Sequence, residues 1–313
     1  MSNKKKPTVI VICGPTASGK TALSIELAKK INGEIVSADS MQIYKEMNIG
    51  SAKIKQEEMC NIQHYLIDVV YPNERYSVAN FKSDAKKALQ EIINKGKTPI
   101  VVGGTGLYID SLIYEIDFKE TKIDEEYRRK LQEIKDKYGI EVLYNMAMEI
   151  DSKAMEKISI NDYKRITRIL EIYHSTGKTK TQQENESKLN ENPYNYKVFA
   201  IDYDRGRLYD KINRRVNLMF ENGLIQEVKN LVNKYTEFPT SMQGLGYKEV
   251  RDYLKNKITK EEMIEKIKQN SRRYAKRQFT WFRKNKETIW LNGEKNIEDN
   301  VNIIMEELSE RKK

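Results

Sequence analysis

Thr8-Val-Ile-Val-Ile-Cys-Gly-Pro-Thr-Ala-Ser-Gly-Lys-Thr21 reads as a buried strand running into the pattern GxxxxGK[ST], with Gly14, Gly19, Lys20 and Thr21 at the defining positions. The spacing has a physical reason. Glycines let successive backbone N–H groups turn inward onto phosphate oxygens, and a following helix adds its N-terminal dipole. Lys20 neutralises charge, and the Thr21 hydroxyl can ligate Mg²⁺. Thr21 to Ile31 carries helical periodicity through Leu23, Leu27 and Ile31, with Gly33 expected as its C-cap. The loop recognises a di- or triphosphate and leaves open what is attached to it.

Outward from the loop, strands and helices alternate. Glu34–Ser37 reads as a short strand, Ser77 to Lys95 as an amphipathic helix with a serine N-cap, and Thr98–Val102 as a buried strand. This order predicts an α/β fold, a P-loop NTPase-like parallel sheet flanked by helices. From about residue 119 to 191 the pattern turns helical and highly charged: Asp124–Tyr138, Ile140–Ile150 and Asp162–His174, then a polar loop over Thr176–Asn195. Residues 119–191 are therefore expected to form a helical insertion domain, with 1–118 and 192–313 as the core. The core resumes with a strand at Lys197–Ile201, one long helix over Arg207–Tyr235, helices at Gly246–Leu254 and Thr259–Lys284, and an edge strand at Ile289–Leu291.

Composition bounds the function. Of 313 residues, 39 % are hydrophobic and 33 % charged, and no segment approaches the run of about 18 apolar residues of a membrane span. The basic start, Met1 to Lys6, precedes a strand-length apolar stretch and is not read as a signal peptide. Cys13 and Cys60 lack metal-type spacing, which fits a reducing cytoplasm. Net charge is +10, and between Lys268 and Lys286 there are eight Lys or Arg and no Asp or Glu, interleaved with Tyr274, Phe279, Trp281 and Phe282. That is the footprint of a polyanion, most often nucleic acid. Arg273, Arg277 and Lys284 lie near one helical face, while Phe279 and Phe282 point elsewhere and Trp281 is assigned to the core.

A nucleotide hydrolase would also need an apolar strand ending in Asp. The best buried strand ends instead in Gly103-Gly-Thr-Gly106, and the alternative, Leu66-Ile67-Asp68, is short. Asp39 follows the second strand directly. Strand C-terminal ends line the ligand crevice of a parallel sheet, so its carboxylate falls beside the loop. It is either a turn-capping Asp or a group with a purpose there, as Mg²⁺ ligand or general base. Thr105 would reach the same crevice. On these residues alone a P-loop kinase, an ATP-driven RNA-binding protein and a non-enzymatic RNA-binding module stay open beside an enzyme that handles a bound diphosphate in another way.

GPTASGKT at Gly14, SADSMQIY at Ser37, VGGTGLY at Val102, NDYKRITRILE at Asn161, and QGLGYKE at Gln243 with the later AKRQFTWFR resemble, in order and across nearly the whole chain, the tRNA dimethylallyltransferase family. The resemblance implies transfer of a dimethylallyl group from dimethylallyl diphosphate to N6 of adenosine 37 of tRNA, beside the anticodon, with Mg²⁺, by a cytoplasmic monomer. It carries the diphosphate onto Gly14, Pro15, Thr16, Ala17, Ser18, Gly19, Lys20 and Thr21, with Thr21 on the metal. It makes Asp39 the general base, puts Thr16 at the bridging oxygen of the scissile bond, and puts Thr105 against the acceptor nucleotide. Arg215 lies near the diphosphate, with Arg214 the rival for that role. The tRNA contacts implied are Asp39, Ser40, Met41, Gln42 and Thr105; Arg128, Lys164, Arg165, Ile166, Thr167 and Arg168; and Met242, Gln243, Gly244, Leu245, Gly246 and Tyr247. With no Cys/His cluster near the C-terminus, the chain resembles the bacterial type without a zinc finger.

Overall fold

The computed structural model describes residues 6–118, 124–187 and 189–309. The expected boundary at Lys119 and most of the basic start Met1–Lys6 lie outside them.

The first strand, β1 (Thr8–Cys13), is a β-branched run buried on both faces, as a central parallel strand requires. It feeds the loop and then α1 (Lys20–Ile31). The chain continues through β2 (Gly33–Ser37), the two-residue β3 (His64–Tyr65), α2 (Val78–Asn94), β4 (Thr98–Gly103) and α3 (Gly106–Ile113). After α3 come four helices: α4 (Glu125–Tyr138), α5 (Ile140–Met155, kinked at Asp151), α6 (Tyr163–Thr176) and α7 (Lys180–Ser187). Then follow β5 (Asn195–Asp202), α8 (Arg205–Glu221), α9 (Leu224–Lys234), α10 (Tyr247–Leu254), α11 (Lys260–Phe282), β6 (Ile289–Asn292) and α12 (Ile297–Ser309).

Among the described residues the six strands of the sheet are all parallel, in the order β3-β2-β4-β1-β5-β6. The chain moves from β1 toward β3 on one side and to β5 and β6 on the other. The C-terminal end of β1 is thus a topological switch point, where such sheets open a ligand crevice. Ile10, Ile12, Ile35, Ile100 and Phe199 of the sheet pack with Leu23 and Leu27 of α1 in one buried cluster.

The described residues form two compact units, one up to Asp110 and from Pro193 onward, the other from Ser111 to Asn192. The second is helical and has its own core of Leu131, Leu143, Ala147, Met155, Ile166, Ile169 and Leu170.

Three expectations are corrected. Helix α1 is closed by Asn32 in the left-handed region (φ 50), while Gly33 begins β2. A Cβ at Gly33 would lie 2.9 Å from Ile100 and 3.0 Å from the Thr98 carbonyl, so the glycine serves strand packing instead of the cap. The polar stretch after Thr176 contains α7. Thr179 and Gln182 exchange a reciprocal capping pair, and Thr181 donates from its N–H and hydroxyl to the Asp151 carboxylate. Tertiary hydrogen bonds there override weak propensity. The expected helix over 207–235 is two helices, broken at Gly223 with φ 94. Helix α12 had no counterpart in the sequence reading.

Gly223→Ala separates the two arrangements. In one continuous helix the alanine would add about 1 kcal/mol of stability. At φ +94, with nothing within 4 Å of an added Cβ, only backbone strain enters, and the expected effect in chemical denaturation is a loss of about 1–2 kcal/mol.

Candidate active site

Leaving β1, the backbone turns through Gly14 (φ 144), Ala17 (φ 63) and Gly19 (φ 87) before α1 starts at Lys20. A Cβ at Gly14 would meet both backbone polar atoms of Ile201 at 3.2 Å, so the loop lies tight on β5. Lys20 Nζ donates to the Pro15 carbonyl at 2.7 Å, and the Ser18 hydroxyl is buried with no hydrogen-bond partner among the described residues. An orphaned hydroxyl inside such a loop suits an anionic ligand.

The ends of β2 and β4 supply the facing wall. Asp39 Oδ1 accepts from the backbone of Met41 at 2.8 Å and of Gln42 at 3.3 Å, an Asx turn that leaves Oδ2 to the cleft. The turn-capping role is thus filled by Oδ1, and the carboxylate keeps one oxygen outside the turn. At Gly103 a Cβ would sit 2.1 Å from the Ala38 carbonyl, so only glycine lets β4 pass there. Thr105 is then pinned: its N–H donates to Ala38 O, and its Oγ1 accepts from Ser40 N at 3.0 Å and donates to Ser40 Oγ at 3.3 Å.

Helix α8 brings in Arg215, half-buried, with Nη2 3.5 Å from the Ser51 carbonyl, while Arg214 is exposed on the outer side. Burial lowers the affinity of Arg215 for its proton, partly offset by Asp39. Burial, then Arg215, brings Lys20 down to about 8, again with Asp39 opposing. Two desolvated cations thus face one carboxylate.

Thr16, Lys20, Thr21, Asp39, Gln42 and Arg215 line a single cleft of about 400 Å³, together with an apolar wall of Ile35, Ile54, Ile67, Ile212, Val216 and Met219. Gln243, Gly244 and Leu245 line it as well. Met242 and Tyr247, in the same segment, are fully buried. Tyr247 packs on Gly50 and donates to Glu227, whose carboxylate also accepts from the backbones of Asn48, Ile49 and Gly50. These two residues position the segment and do not face a ligand. Asp68 is bound to Lys53, and of its segment only Ile67 reaches the cleft.

The other group of expected contacts lies in the second unit. Lys164, Arg165 and Arg168 are exposed along α6, whereas Ile166 and Thr167 are buried. Arg128 makes a two-pronged ion pair with Glu171, at 2.5 and 3.2 Å, which fixes α4 on α6. Arg128, Arg129, Gln132, Lys164 and Arg168 line a shallow groove.

Sequence reasoning missed the cleft-facing side of α11. Ile267, Ser271, Tyr274 and Gln278 line the cleft with Arg277. Their spacing of i, i+4, i+7 and i+11 was a legible stripe, hidden among the lysines and arginines. Burial, then Asp39, pushes the Tyr274 phenol up to about 12, and Thr105 pulls the other way. Of the aromatics assigned to the core, Phe282 is buried and Phe279 stacks on Trp290, while Trp281 is half-buried on Gly106 with Nε1 donating to Asp110.

Comparison with known proteins bears on the family. A family model described as IPP transferase matches residues 42–285. The chain is 52 % identical over 285 residues to a tRNA dimethylallyltransferase of Acetivibrio thermocellus, with 91 % of each covered. Among solved structures it is similar to the full-length tRNA isopentenylpyrophosphate transferase of Bacillus halodurans (TM-score 0.74, 41 % identity, 98 % of each chain). It is also similar to a eukaryotic dimethylallyltransferase described as acting on tRNA (TM-score 0.78, 34 % identity, 92 % of this chain and 74 % of that one).

The depressed Lys20 predicts a pH signature. Its folded value of about 8 lies below the unfolded value of about 10.4, so its destabilising effect is full below pH 8 and fades as pH rises toward 10.4. A bound anion reverses the depression. Binding of a diphosphate monoester at pH 9 is expected to take up a fraction of a proton, measured by calorimetry in buffers of different ionisation enthalpy. Lys20→Met is expected to abolish the uptake and weaken binding.

Proposed function

Because the chain belongs to the IPP transferase family, we propose that it transfers a dimethylallyl group from dimethylallyl diphosphate to N6 of adenosine 37 in tRNA, giving N6-isopentenyladenosine. The observation that carries this reading is the meeting, in one cleft, of the phosphate loop, two desolvated cations, a free carboxylate oxygen and an apolar wall. Against an ATPase stands Asp68, which closes a short apolar run in the manner of a nucleotide hydrolase but is tied to Lys53.

In this reading Gly14 to Thr21 hold the donor's diphosphate, with Thr16 toward the scissile C–O bond. The adenine exocyclic amine is a poor nucleophile because its lone pair is delocalised into the ring. Asp39 Oδ2 takes its proton as the N–C bond forms, which is worth roughly 10²–10⁴ in rate. As the allylic C–O bond breaks, charge grows on the diphosphate, and Lys20 and Arg215 are already placed and desolvated to receive it. The apolar wall takes the five-carbon chain and keeps water from an allylic centre with cationic character. The base has to leave its stack to reach Asp39, which is least costly in a single-stranded loop.

Mg²⁺ fits the donor set. Among the described residues no cluster of three or more His, Cys, Asp or Glu forms a metal cage. The Thr21 hydroxyl beside a diphosphate is the sparse protein ligation that Mg²⁺ takes when it arrives with phosphates. When bound it would neutralise diphosphate charge.

Lys164, Arg165 and Arg168 of the helical insertion, with Arg128 fixing α4 beside them, grip tRNA phosphates. Met41, Gln42, Ser40 and Thr105, with Gln243 to Leu245, meet the anticodon loop. We take the enzyme to act as a cytoplasmic monomer.

Incubation with Mg²⁺, dimethylallyl diphosphate and unmodified tRNA, followed by nucleoside mass spectrometry, tests the reaction. Prenylated adenosine is expected; ATP consumption without it would support a nucleotide hydrolase. Asp39→Asn keeps an oxygen for the Asx turn and is expected to lower kcat about 10²–10⁴-fold with tRNA affinity near wild type. Lys164→Ala is expected to raise the tRNA KM and flatten the salt dependence of binding by about one phosphate contact, a slope change of roughly 0.7–0.9.

A further inference from the structure

Gln278 has a place in the site that no role above requires. It is buried, 5 % exposed, on the cleft-facing stripe of α11. Its carboxamide joins two loops far apart in sequence. Oε1 accepts from the backbone N–H of Thr16 at 2.9 Å, and Nε2 donates to the Gly104 carbonyl at 2.8 Å. A Cβ at Gly104 would lie 2.3 Å from Nε2, so that glycine admits the amide. The neighbours of each partner carry chemistry. Thr16 belongs to the phosphate loop, and Gly104 precedes Thr105, whose hydroxyl holds the Ser40 backbone next to Asp39. Tyr274, one turn earlier on α11, also directs its hydroxyl to the Gly104 carbonyl, at 3.4 Å.

We propose that Gln278 is a positioning residue, a strut that fixes the leaving-group loop relative to the carboxylate side of the cleft and so sets the distance the prenyl group crosses. The proposal rests on the prenyl-transfer reading. The amide is suited to it because one end must accept and the other donate. An ionised glutamate accepts at both ends, setting one oxygen against the Gly104 carbonyl and a negative charge beside the diphosphate. The strut also occupies the Thr16 N–H, so the cradle's phosphate-binding amides are those that follow Thr16. Near-attack geometry is steep in distance, and a shift of about 1 Å is worth on the order of 10²-fold in rate.

The test compares Gln278→Glu and Gln278→Met with wild type from pH 6 to 9. A protonated glutamate restores both hydrogen bonds, accepting from Thr16 and donating to Gly104, whereas methionine fills the space and makes neither. The expected result is a kcat lowered about 10²-fold in both at pH 8, with the tRNA KM within about twofold of wild type. Burial at position 278 and the adjacent diphosphate hold the glutamate carboxyl above the ordinary range, so relative to wild type at the same pH Gln278→Glu recovers as pH falls toward 6 and Gln278→Met does not. Values of kcat within about threefold of wild type in both variants would overturn the strut. So would equal losses at every pH accompanied by a rising tRNA KM, which would mark a general packing defect. A third readout is independent of turnover: calorimetric affinity for a diphosphate monoester, expected to fall about tenfold in Gln278→Met. If wild type forms no prenylated adenosine, the reaction assignment fails while this affinity still decides the strut, an unchanged value overturning it. If the glutamate variant does not fold, Gln278→Met carries the same decision through its kcat, KM and affinity.

Discussion

Lys20 and Arg215 share one cleft with the single carboxylate of Asp39, and burial makes both cations worse places for a proton than water would be. Positive charge in low dielectric costs free energy until an anion enters, and each interaction with that anion is stronger there than in bulk water. The site is in this sense organised around a ligand with more than one negative charge. Asp39 is spared from becoming a plain ion-pair partner by its Asx turn, which engages Oδ1 with backbone and leaves Oδ2 outside the turn.

Holding these groups in place takes a fold in which distant segments meet at the C-terminal end of β1. Parallel pairing of β1 with β4 and β5 puts the loop, the Gly103–Gly106 turn and Ile201 in contact, and glycines at positions 14 and 103 permit the close approach. Helix α8 then delivers Arg215, and α11 closes the cleft with Tyr274 and Gln278. A second polar hub, Glu227, gathers three backbone amides and the Tyr247 hydroxyl. It thereby holds the Gly50–Ala52 wall whose Ser51 carbonyl faces Arg215. Much of the buried polar material is thus spent on loop geometry.

The helical unit solves a different problem with local means. Its core is a small set of aliphatic residues at helical spacing, and its cations stand on the outer face of α6. Arg128, one of the expected tRNA contacts, has Glu171 as its closest partner. Its charge is held in an internal pair, which positions the exposed Lys164 and Arg168 beside it.

The local chemistry was legible from the chain alone. The phosphate loop, the carboxylate after β2, the glycine turn after β4 and the alternation that sets a parallel sheet are each encoded within about a dozen residues, because strand burial, turn φ values and helix caps are short-range constraints. Two errors fell where contacts distant in sequence outweighed propensity, at Gly33, which packs on Ile100 in place of capping α1, and at α7, stabilised by Asp151 across 30 residues. A third, the break at Gly223, is a local left-handed turn between two stretches of helical pattern. Only the tertiary structure decided that Arg215 and not Arg214 enters the cleft, that Met242 and Tyr247 are buried beneath the cleft-lining Gln243–Leu245, and that Gln278 spans 262 positions to reach Thr16. Those outcomes depend on which helix face meets which strand end, and no window of sequence contains both partners.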